Sequence, residues 1–362
     1  MVDQIFKGRG QAAYHLSPPS IYPGGAEDYT KSAKDNYPYG YDESQLDKAR
    51  QVMEDAGYSQ DNKYTVQWTQ YTSDTWLGMA KILRDQLASA HIDMKIQQAD
   101  FATLTKRGRD GNLEAYTLGW IADFPSPDNF EQLLNPPDTD TSKAGPSSYI
   151  NWKPSNGDAA QKATDAWKKV QNNIGPGEQA QKARNEAYVQ MEQANWEDVG
   201  LLNVFHSIEE AFWYDTIDYS PYGGMGINQQ KFNHVKTTSS KSNNQLDRLL
   251  NGTITTMDPV AATDSSSSEL ISQWADPLTN FQNATTTVTN LMATDYSISD
   301  DDLTYTFQID PNATFHDGGN VTASDFVYSW ERLAASKNSR RASFLLDILG
   351  VKHDTMTITV KK

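Results

Sequence analysis

Residues 63–90 read "KYTVQWTQYTSDTWLGMAKILRDQLASA", a stretch whose hydrophobic period changes half-way along. Residues 63–71 alternate in the manner of a β-strand. Behind a predicted Asp N-cap at position 74, apolar residues recur with the spacing of one helix face: Leu77, Ala80, Leu83 and Leu87. The stretch therefore predicts a strand followed by an amphipathic helix.

The same alternation of strand and helix continues to residue 120. Residues 92–96 alternate again as a strand, and residues 100–111 are typical of a short basic helix. Residues 113–120, "LEAYTLGW", predict a third strand. A β-α-β-α-β succession of this kind builds a parallel sheet, so the fold class is predicted to be α/β.

The third predicted strand leads into a long loop, residues 120–130. In open α/β sheets, ligands bind just outside the carboxyl ends of the strands. A turn that served packing alone would be short and rich in Gly or Asn, whereas this loop carries Trp120, Asp123, Phe124 and Asp128. Flat apolar side chains beside carboxylate acceptors favour the binding of an amphipathic ligand.

Length and charge exclude several classes of protein. The 362 residues exceed the ~250–300 at which single hydrophobic cores stop growing, so two lobes are expected. A net charge of −16 argues against nucleic acid or an anionic membrane surface as a partner. Cysteine is absent, which excludes disulfides and thiolate sites. The sequence has no apolar run of membrane-spanning length, and its first residues predict no export signal.

Composition divides the chain into three predicted segments. Residues 1–236 contain the β-α-β-α-β unit, and residues 237–245, "TTSSKSNNQ", are polar and lack an apolar anchor, as linkers do. Residues 246–362 form the third segment.

Further helices and strands are predicted outside the β-α-β-α-β unit. In the first segment they are helices over 158–172 and 177–195, with core residues Trp167, Tyr188, Met191 and Trp196, and short strands near 199–206 and 208–214. In the third segment they are a hairpin over 295–309, an N-capped helix bearing Phe326 and Trp330, and a strand over 355–360.

Four stretches resemble a known family: "IFKGRGQAAYHLSPP" at 5–19, "GWIADFPSPDNF" at 119–130, "GTITTMDPV" at 252–260 and "FHDGGNVTASDFVYSWERLA" at 315–334. They are similar to the peptide-binding proteins of ABC importers, solute-binding protein family 5, which includes dipeptide- and oligopeptide-binding receptors. The acidic composition resembles haloarchaeal versions. The resemblance implies an α/β fold with a two-lobed, periplasmic-binding-protein-like (type II) architecture.

The order of these motifs differs from the order in the family. The stretches at 252–260 and 315–334 resemble the early part of family members, whereas the loop at 119–130 resembles their late part. The resemblance therefore implies a circularly permuted chain with an internal portion missing. Residues 1–236 would correspond to the late part, residues 237–245 to the junction, and residues 246–362 to an incomplete early part.

The resemblance also implies roles for individual residues. Asp123 matches the family aspartate that accepts the α-ammonium group of a bound peptide, and Trp120 resembles the residue that packs against the first side chain. Residues 263–267 and 340–344 match segments that touch the peptide main chain. The other candidate ligand-binding residues are Phe124, Phe205, Phe344 and two arginines, Arg107 and Arg109. The two arginines are candidates for the peptide carboxylate, and a solvated helix face is the alternative explanation for them.

The function predicted on these grounds is capture of short peptides for the membrane subunits of an ABC importer, by a monomeric extracytoplasmic receptor that performs no chemistry. No cofactor or metal is predicted, because the six histidines lack metal-site spacing. The sequence lacks the motifs of serine hydrolases and of ATPases, and a carboxylate-based hydrolase is the least favoured hypothesis. Two further hypotheses are the same fold binding a nickel complex, haem or an oligosaccharide, and a rearranged or engineered scaffold with impaired binding.

Overall fold

A computed structural model describes residues 2–135, 149–153, 157–173, 175–208, 215–218, 232, 236–237, 252–282, 285–302, 304–339, 341–342 and 345. The chain divides into two compact units. Unit 1 comprises Met1–Trp120, Ser126–Val170 and Asn185–Glu210, and unit 2 comprises Ile121–Pro125, Gln171–Arg184 and Ala211–Lys362.

The described helices and strands are as follows. The helices are α1 (Val2–Phe6), α2 (Gly25–Asn36), α3 (Leu46–Asp55), α4 (Asp74–Ala88), α5 (Phe101–Arg109), α6 (Asp128–Glu131), α7 (Asp158–Gln171), α8 (Glu178–Asp198), α9 (Ser265–Trp274) and α10 (Ala323–Ala335), with a 3-10 turn at Gln132–Leu134. The strands are β1 (Gly10–Ala12), β2 (Tyr64–Tyr71), β3 (Ile92–Ala99), β4 (Ala115–Tyr116), β5 (Phe205–Ser207), β6 (Ile217–Asp218), β7 (Lys236–Thr237), β8 (Thr279–Phe281), β9 (Val288–Asn290), β10 (Ala293–Ile298) and β11 (Tyr305–Ile309).

A three-stranded parallel sheet in unit 1 confirms the predicted β-α-β-α-β unit. Strand β2 is central and pairs with β3 from Tyr64↔Ile92 to Tyr71↔Ala99 and with β4 at Trp68↔Ala115. Strand β4 is shorter than the predicted 113–120. At its start, the backbone N–H of Gln67 donates to the Glu114 carboxylate at 2.9 Å, so a side chain replaces a ladder bond.

The start of α4 corrects the sequence analysis by one residue. Asp74 was predicted to be the N-cap, but it is the first helical residue, and Ser73 is the N-cap with extended φ and ψ of −163° and 135°. The Ser73 carbonyl accepts the first helical hydrogen bond, from the Leu77 N–H at 2.9 Å. Asp74 thereby lies in the first turn, where its negative charge complements the helix dipole.

The core of unit 1 includes α7 and the later part of α8. Trp167, Tyr188, Met191 and Trp196 are all buried, which confirms that these large side chains serve the core. Their burial removes apolar surface from water, which is the main stabilising contribution to a unit of this size.

Unit 2 contains the predicted hairpin and the predicted N-capped helix. Strands β10 and β11 pair antiparallel, which confirms the hairpin over 295–309. Helix α10 begins with a capping box in which Thr322 and Asp325 bond reciprocally. Among the helices that the structure describes, none has the length and apolar character needed to cross a bilayer. The strand predicted over 355–360, most of the linker (238–245) and residues 209–214 lie outside the described residues.

Candidate functional site

A tryptophan at the start of the loop after β4 is hydrogen-bonded to an asparagine near the end of the loop. The indole N–H of Trp120 donates to Oδ1 of Asn129 at 3.0 Å, and its ring meets Tyr149 edge to face at 6.2 Å between centroids. Asn129 is fully buried in α6. The polar edge of Trp120 therefore holds the loop, while the indole ring remains partly exposed.

Asp123 in the same loop forms an ion pair that the sequence analysis did not predict. Its Oδ2 accepts a hydrogen bond from Nη1 of Arg341, and both residues belong to unit 2. The two side chains are 28% and 20% exposed, respectively. Nε of Arg341 also donates to the carbonyl of Ala262 at 3.2 Å, which orients the guanidinium group. The carboxylate predicted to bind a cationic N–H donor thus already binds one from its own chain.

A second Asp–Arg pair in unit 2 provides a comparison. Arg332 donates to both carboxylate oxygens of Asp258, at 2.7 and 2.5 Å, and the two side chains are 41% and 37% exposed. This bidentate bond lowers the pKa of Asp258. The pair joins α10 to the segment before α9, so it has an evident structural role.

The other predicted site residues lie in several local environments. Nη1 of Arg109 donates to the Tyr149 hydroxyl at 2.6 Å, and its guanidinium carbon lies 5.3 Å from the centre of that ring. Nη2 of Arg107 donates to the carbonyl of Asn112 at 3.3 Å. The Phe205 ring lies 4.2 Å from that of Phe6 and 5.9 Å from that of Trp76, centroid to centroid. Phe124 is partly exposed in the loop, and Phe344 lies outside the described residues.

A buried acid cluster in unit 1 follows the loop directly and was missed by the sequence analysis. Glu131, at the end of α6, and Glu192, on α8, are 0% and 1% exposed. Oε1 of Glu192 accepts the backbone N–H of Leu16 at 2.7 Å and that of Ser17 at 3.2 Å. Oε1 of Glu131 accepts the Ser17 hydroxyl at 2.6 Å. These bonds tie together residues 16–17, α6 and α8.

Both carboxyl groups of the cluster have pKa values raised by burial. Burial raises the pKa of Glu131, and the neighbouring Glu192 raises it further. Burial also raises the pKa of Glu192, to about 7. The Oε2 atoms of both residues have no hydrogen-bond partner among the described residues, so an ionised carboxylate here is disfavoured by burial.

A buried histidine lies beside the acid cluster. The ring of His15 packs against those of Tyr22, Tyr29 and Trp196 at centroid distances of 4.5, 5.0 and 5.0 Å. Burial lowers its pKa to about 4, so it is neutral, and its Nδ1 lies 3.8 Å from Glu192 Oε2, too far for a hydrogen bond. Burial lowers the pKa of His206 to about 4 as well. Within the described ranges, no three His, Asp or Glu side chains are grouped as a metal site requires.

The cluster predicts a loss of stability above about pH 6.5. Raised carboxyl pKa values stabilise the folded chain at low pH. This stabilisation is lost as the pH rises through the carboxyl pKa values of the folded state, which for Glu192 is about 7. The lowered pKa values of His15 and His206 have the opposite effect. They stabilise the folded chain at pH values above 6.5, the pKa of an unfolded histidine, and this stabilisation is lost as the pH falls towards 4. The two effects oppose each other from about pH 4.5 to 6.5. Above this range only the carboxyl effect remains, so the free energy of unfolding should fall by on the order of 1 kcal/mol per pH unit.

Denaturant unfolding at pH 6.5, 7.5 and 8.5 measures this effect. The Glu131→Gln variant removes one of the two titrating carboxyl groups, so its stability should depend less on pH in this range. A variant whose pH profile parallels that of the wild type would show that the carboxyl group of Glu131 does not cause the pH dependence.

Comparison of the sequence with models of known protein families identifies the family of this chain. The family model "Bacterial extracellular solute-binding proteins, family 5 Middle" matches residues 1–142 and 287–362, more than half of the sequence. The chain belongs to this family. The predicted fold class, α/β and two-lobed as in type II periplasmic binding proteins, is confirmed with it. The permuted order and the haloarchaeal likeness stay predictions.

Three curated relatives of this family 5 protein match parts of it. The dipeptide-binding protein DppE of Bacillus subtilis is 44% identical over 54 residues, which cover 15% of this chain and 10% of DppE. Di/tripeptide-binding protein 1 of Pseudomonas aeruginosa is 28% identical over 135 residues, 36% of this chain and 23% of that protein. Heme-binding protein A of Haemophilus influenzae is 26% identical over 142 residues, 36% and 22% of the two chains. The matches thus span less than a quarter of each relative.

Solved structures of similar proteins match a larger share of the chain. The Escherichia coli murein tripeptide binding protein MppA aligns with a TM-score of 0.43 and 18% identity, covering 60% of this chain and 38% of MppA. Haemophilus influenzae OppA, solved with a bound peptide, aligns with a TM-score of 0.43 and 16% identity, at the same two coverages of 60% and 38%.

Proposed function

We propose that this family 5 protein captures short peptides by their free α-amino group and delivers them to the membrane subunits of an ABC importer, without a chemical step. The observation that carries the proposal is the ion pair of Asp123, a partly buried carboxylate that already accepts a cationic N–H donor. Two of the relatives, DppE and di/tripeptide-binding protein 1, are named for binding dipeptides or tripeptides.

The chemistry of the α-ammonium group suits this site. It is a compact cation with three N–H donors, as is a lysine ammonium, so one carboxylate can fix the polarity of a bound peptide. Partial burial strengthens such a bond because water screens it less. A peptide would displace Arg341 from Asp123 or share the carboxylate with it.

The remaining parts of the proposal follow from the family. Trp120 would pack against the first side chain of the peptide, Phe124 and Phe205 would contact the ligand, and Arg107 or Arg109 would bind the peptide carboxylate. Phe344 belongs to the matched segment that would touch the peptide main chain. The receptor would act outside the cytoplasm as a monomer. Residues 1–236 would form the lobe that corresponds to the late part of the family, and residues 246–362 the early part, joined by residues 237–245.

Haem is the second candidate ligand, because one relative is named Heme-binding protein A. Titration of the protein with hemin, followed by absorbance of the Soret band, separates the two candidates. A saturable spectral shift at one equivalent, in a protein that binds no peptide, would favour haem.

The proposal predicts that a free amine decides binding. Trialanine should bind in isothermal calorimetry, whereas N-acetyl-trialanine, which lacks the charged amine, should bind at least tenfold more weakly, as expected when a charge-assisted hydrogen bond is lost. Equal affinity for both peptides would contradict the role of Asp123 as the amine acceptor.

A further inference from the structure

We infer that Tyr149, anchored by Arg109, is a positioning residue that fixes the indole ring of Trp120 and thereby makes the site selective for peptides with a large apolar first side chain. The inference rests on the proposed function, in which Trp120 packs against that side chain. It adds Tyr149 to the site and leaves Arg107 as the candidate for the peptide carboxylate. All of these residues belong to unit 1.

The first argument is that a single hydrogen bond does not orient the indole of Trp120. Its N–H donates to Oδ1 of Asn129 at 3.0 Å, which fixes one edge of the ring but leaves the ring free to tilt about that bond. The Tyr149 ring supplies a second contact, at 6.2 Å between centroids and 66° between the ring planes. Edge-to-face packing of this kind is a preferred geometry of aromatic pairs. The two contacts together define the plane against which a ligand side chain can pack.

The second argument is that Tyr149 is anchored both at its hydroxyl group and at its backbone. Nη1 of Arg109 donates to the hydroxyl at 2.6 Å, and the guanidinium carbon lies 5.3 Å from the ring centre, within the range of a cation–π contact. The hydroxyl of Tyr116 donates to the backbone carbonyl of Tyr149. Burial raises the pKa of Tyr116, so this hydroxyl stays protonated and can donate. The Tyr149 ring is therefore held beside the indole.

The third argument is that both anchors lie on regular elements next to the loop. Arg109 is the last residue of α5, and Tyr116 is the last residue of β4, the strand that leads into the loop. Gly108 lets α5 approach this strand closely, because a Cβ at its position would lie 2.7 Å from the Tyr116 ring. Sites built on helices and strands are held more precisely than sites built on loops. The position of Tyr149 is thus set by the fold of unit 1.

The chemistry of arginine suits this role. A guanidinium group both donates hydrogen bonds and stacks on aromatic rings, and Arg109 does both with Tyr149. A ring that is already held in one orientation has little freedom to lose when a ligand packs against it. The stabilisation then grows with the apolar surface that the ligand buries. A first residue of phenylalanine should therefore be preferred to alanine.

Isothermal calorimetry with two peptide amides tests the inference. The probes are Phe-Ala-Ala amide and Ala-Ala-Ala amide, whose amidated C-termini remove any bond to the peptide carboxylate. The wild type should bind the phenylalanine peptide roughly tenfold more tightly, the combined effect of apolar burial and an aromatic contact on a partly exposed ring. The readout is the ratio of the two affinities, because a general loss of stability weakens the binding of both peptides alike.

Two single variants and their combination separate the roles of the two residues. Tyr149→Leu removes the ring contact and should lower the ratio to about threefold or less. Arg109→Gln removes the anchor of the hydroxyl and should lower the ratio as well. In the double variant the ratio should equal that of Tyr149→Leu alone, because Arg109 acts through Tyr149.

Lys106→Gln is the matched control for these variants. It removes a positive charge from the same helix, α5, at an exposed side chain that pairs with Asp110, so the ratio should stay at the wild-type value. Unfolding midpoints establish which variants are folded. Arg109→Gln, a change at a partly exposed side chain, carries the test if Tyr149→Leu does not fold.

Each other outcome overturns the inference. Equal binding of the two amides by the wild type, together with weaker binding of N-acetyl-trialanine than of trialanine, would leave the proposed function intact and remove the selectivity. A ratio that persists in Tyr149→Leu or in Arg109→Gln would show that the indole does not depend on that residue. A further fall in the double variant would mean that Arg109 acts by another route, and an equal fall in Lys106→Gln would assign the effect to the charge of α5. If neither the amides nor trialanine bind, the proposed function fails and the inference fails with it.

Discussion

Replacing Asp123 with asparagine is expected to weaken the binding of trialanine by roughly 2–3 kcal/mol, the range for a hydrogen bond to a charged group. Asparagine keeps the size of the side chain and one acceptor oxygen but loses the negative charge. The side chain of Asp123 is 28% exposed, so the effect should not reach the larger values measured for fully buried pairs. Isothermal calorimetry of the wild type and the variant measures the difference.

The Asp258→Asn variant is the control for this experiment. It removes the negative charge from the other Asp–Arg pair of unit 2, whose side chains are 37% and 41% exposed. Trialanine should bind this variant as it binds the wild type. If both variants lose the same affinity, the effect comes from the stability of unit 2 or from its net charge, and Asp123 is not the amine acceptor.

Replacing Glu192 with alanine is expected to lower the free energy of unfolding by roughly 3–5 kcal/mol. The substitution leaves the backbone N–H groups of Leu16 and Ser17 without their acceptor in a buried site. Each buried, unpaired polar group costs about 1–3 kcal/mol. The shortened side chain also leaves a cavity in the core, which adds to the loss.

The Glu197→Ala variant tests whether this loss is specific to the buried position. Glu197 lies on the same helix, α8, but its side chain is 52% exposed and pairs with Lys162 on the surface. Exposed ion pairs contribute little, so the free energy of unfolding should change by less than about 1 kcal/mol. Equal losses in the two variants, measured by urea unfolding, would mean that the buried hydrogen bonds of Glu192 do not stabilise unit 1.

The individual helices and strands of this fold could be predicted because the hydrophobic pattern of each one lies within its own residues. The alternation of residues 63–71 and the helix spacing that follows it each arise within one element, and the structure reproduces both as β2 and α4. The large core side chains of α7 and α8 were also predicted correctly, since Trp167 and Met191 have few stable positions other than the interior. Strand β4 begins two residues later than predicted, because the Glu114 side chain and not the backbone accepts the hydrogen bond from the N–H of Gln67 on the neighbouring strand β2.

The candidate site could be predicted only in part, because its partners are distant in the sequence. Asp123 was found from its position after a strand and from the family motif. Its partner Arg341 lies 218 residues away, inside the segment 340–344 that the resemblance matched to peptide contacts, but nothing in the sequence pairs it with Asp123. Glu131 and Glu192 were missed because glutamate is expected at the surface. The buried pair is hydrogen-bonded by Leu16 and Ser17, which lie more than 100 residues away in the sequence, and the spacing of residues does not show such contacts.

The central claim is that this chain binds peptides, and thermal unfolding of the full chain with trialanine tests it most directly. A ligand that binds only the folded state stabilises it by about 2.7 kcal/mol at 100 times its dissociation constant. The account predicts that the unfolding temperature rises with the concentration of trialanine and rises much less with N-acetyl-trialanine at equal concentration. An unfolding temperature that stays unchanged up to millimolar concentrations of trialanine would contradict it.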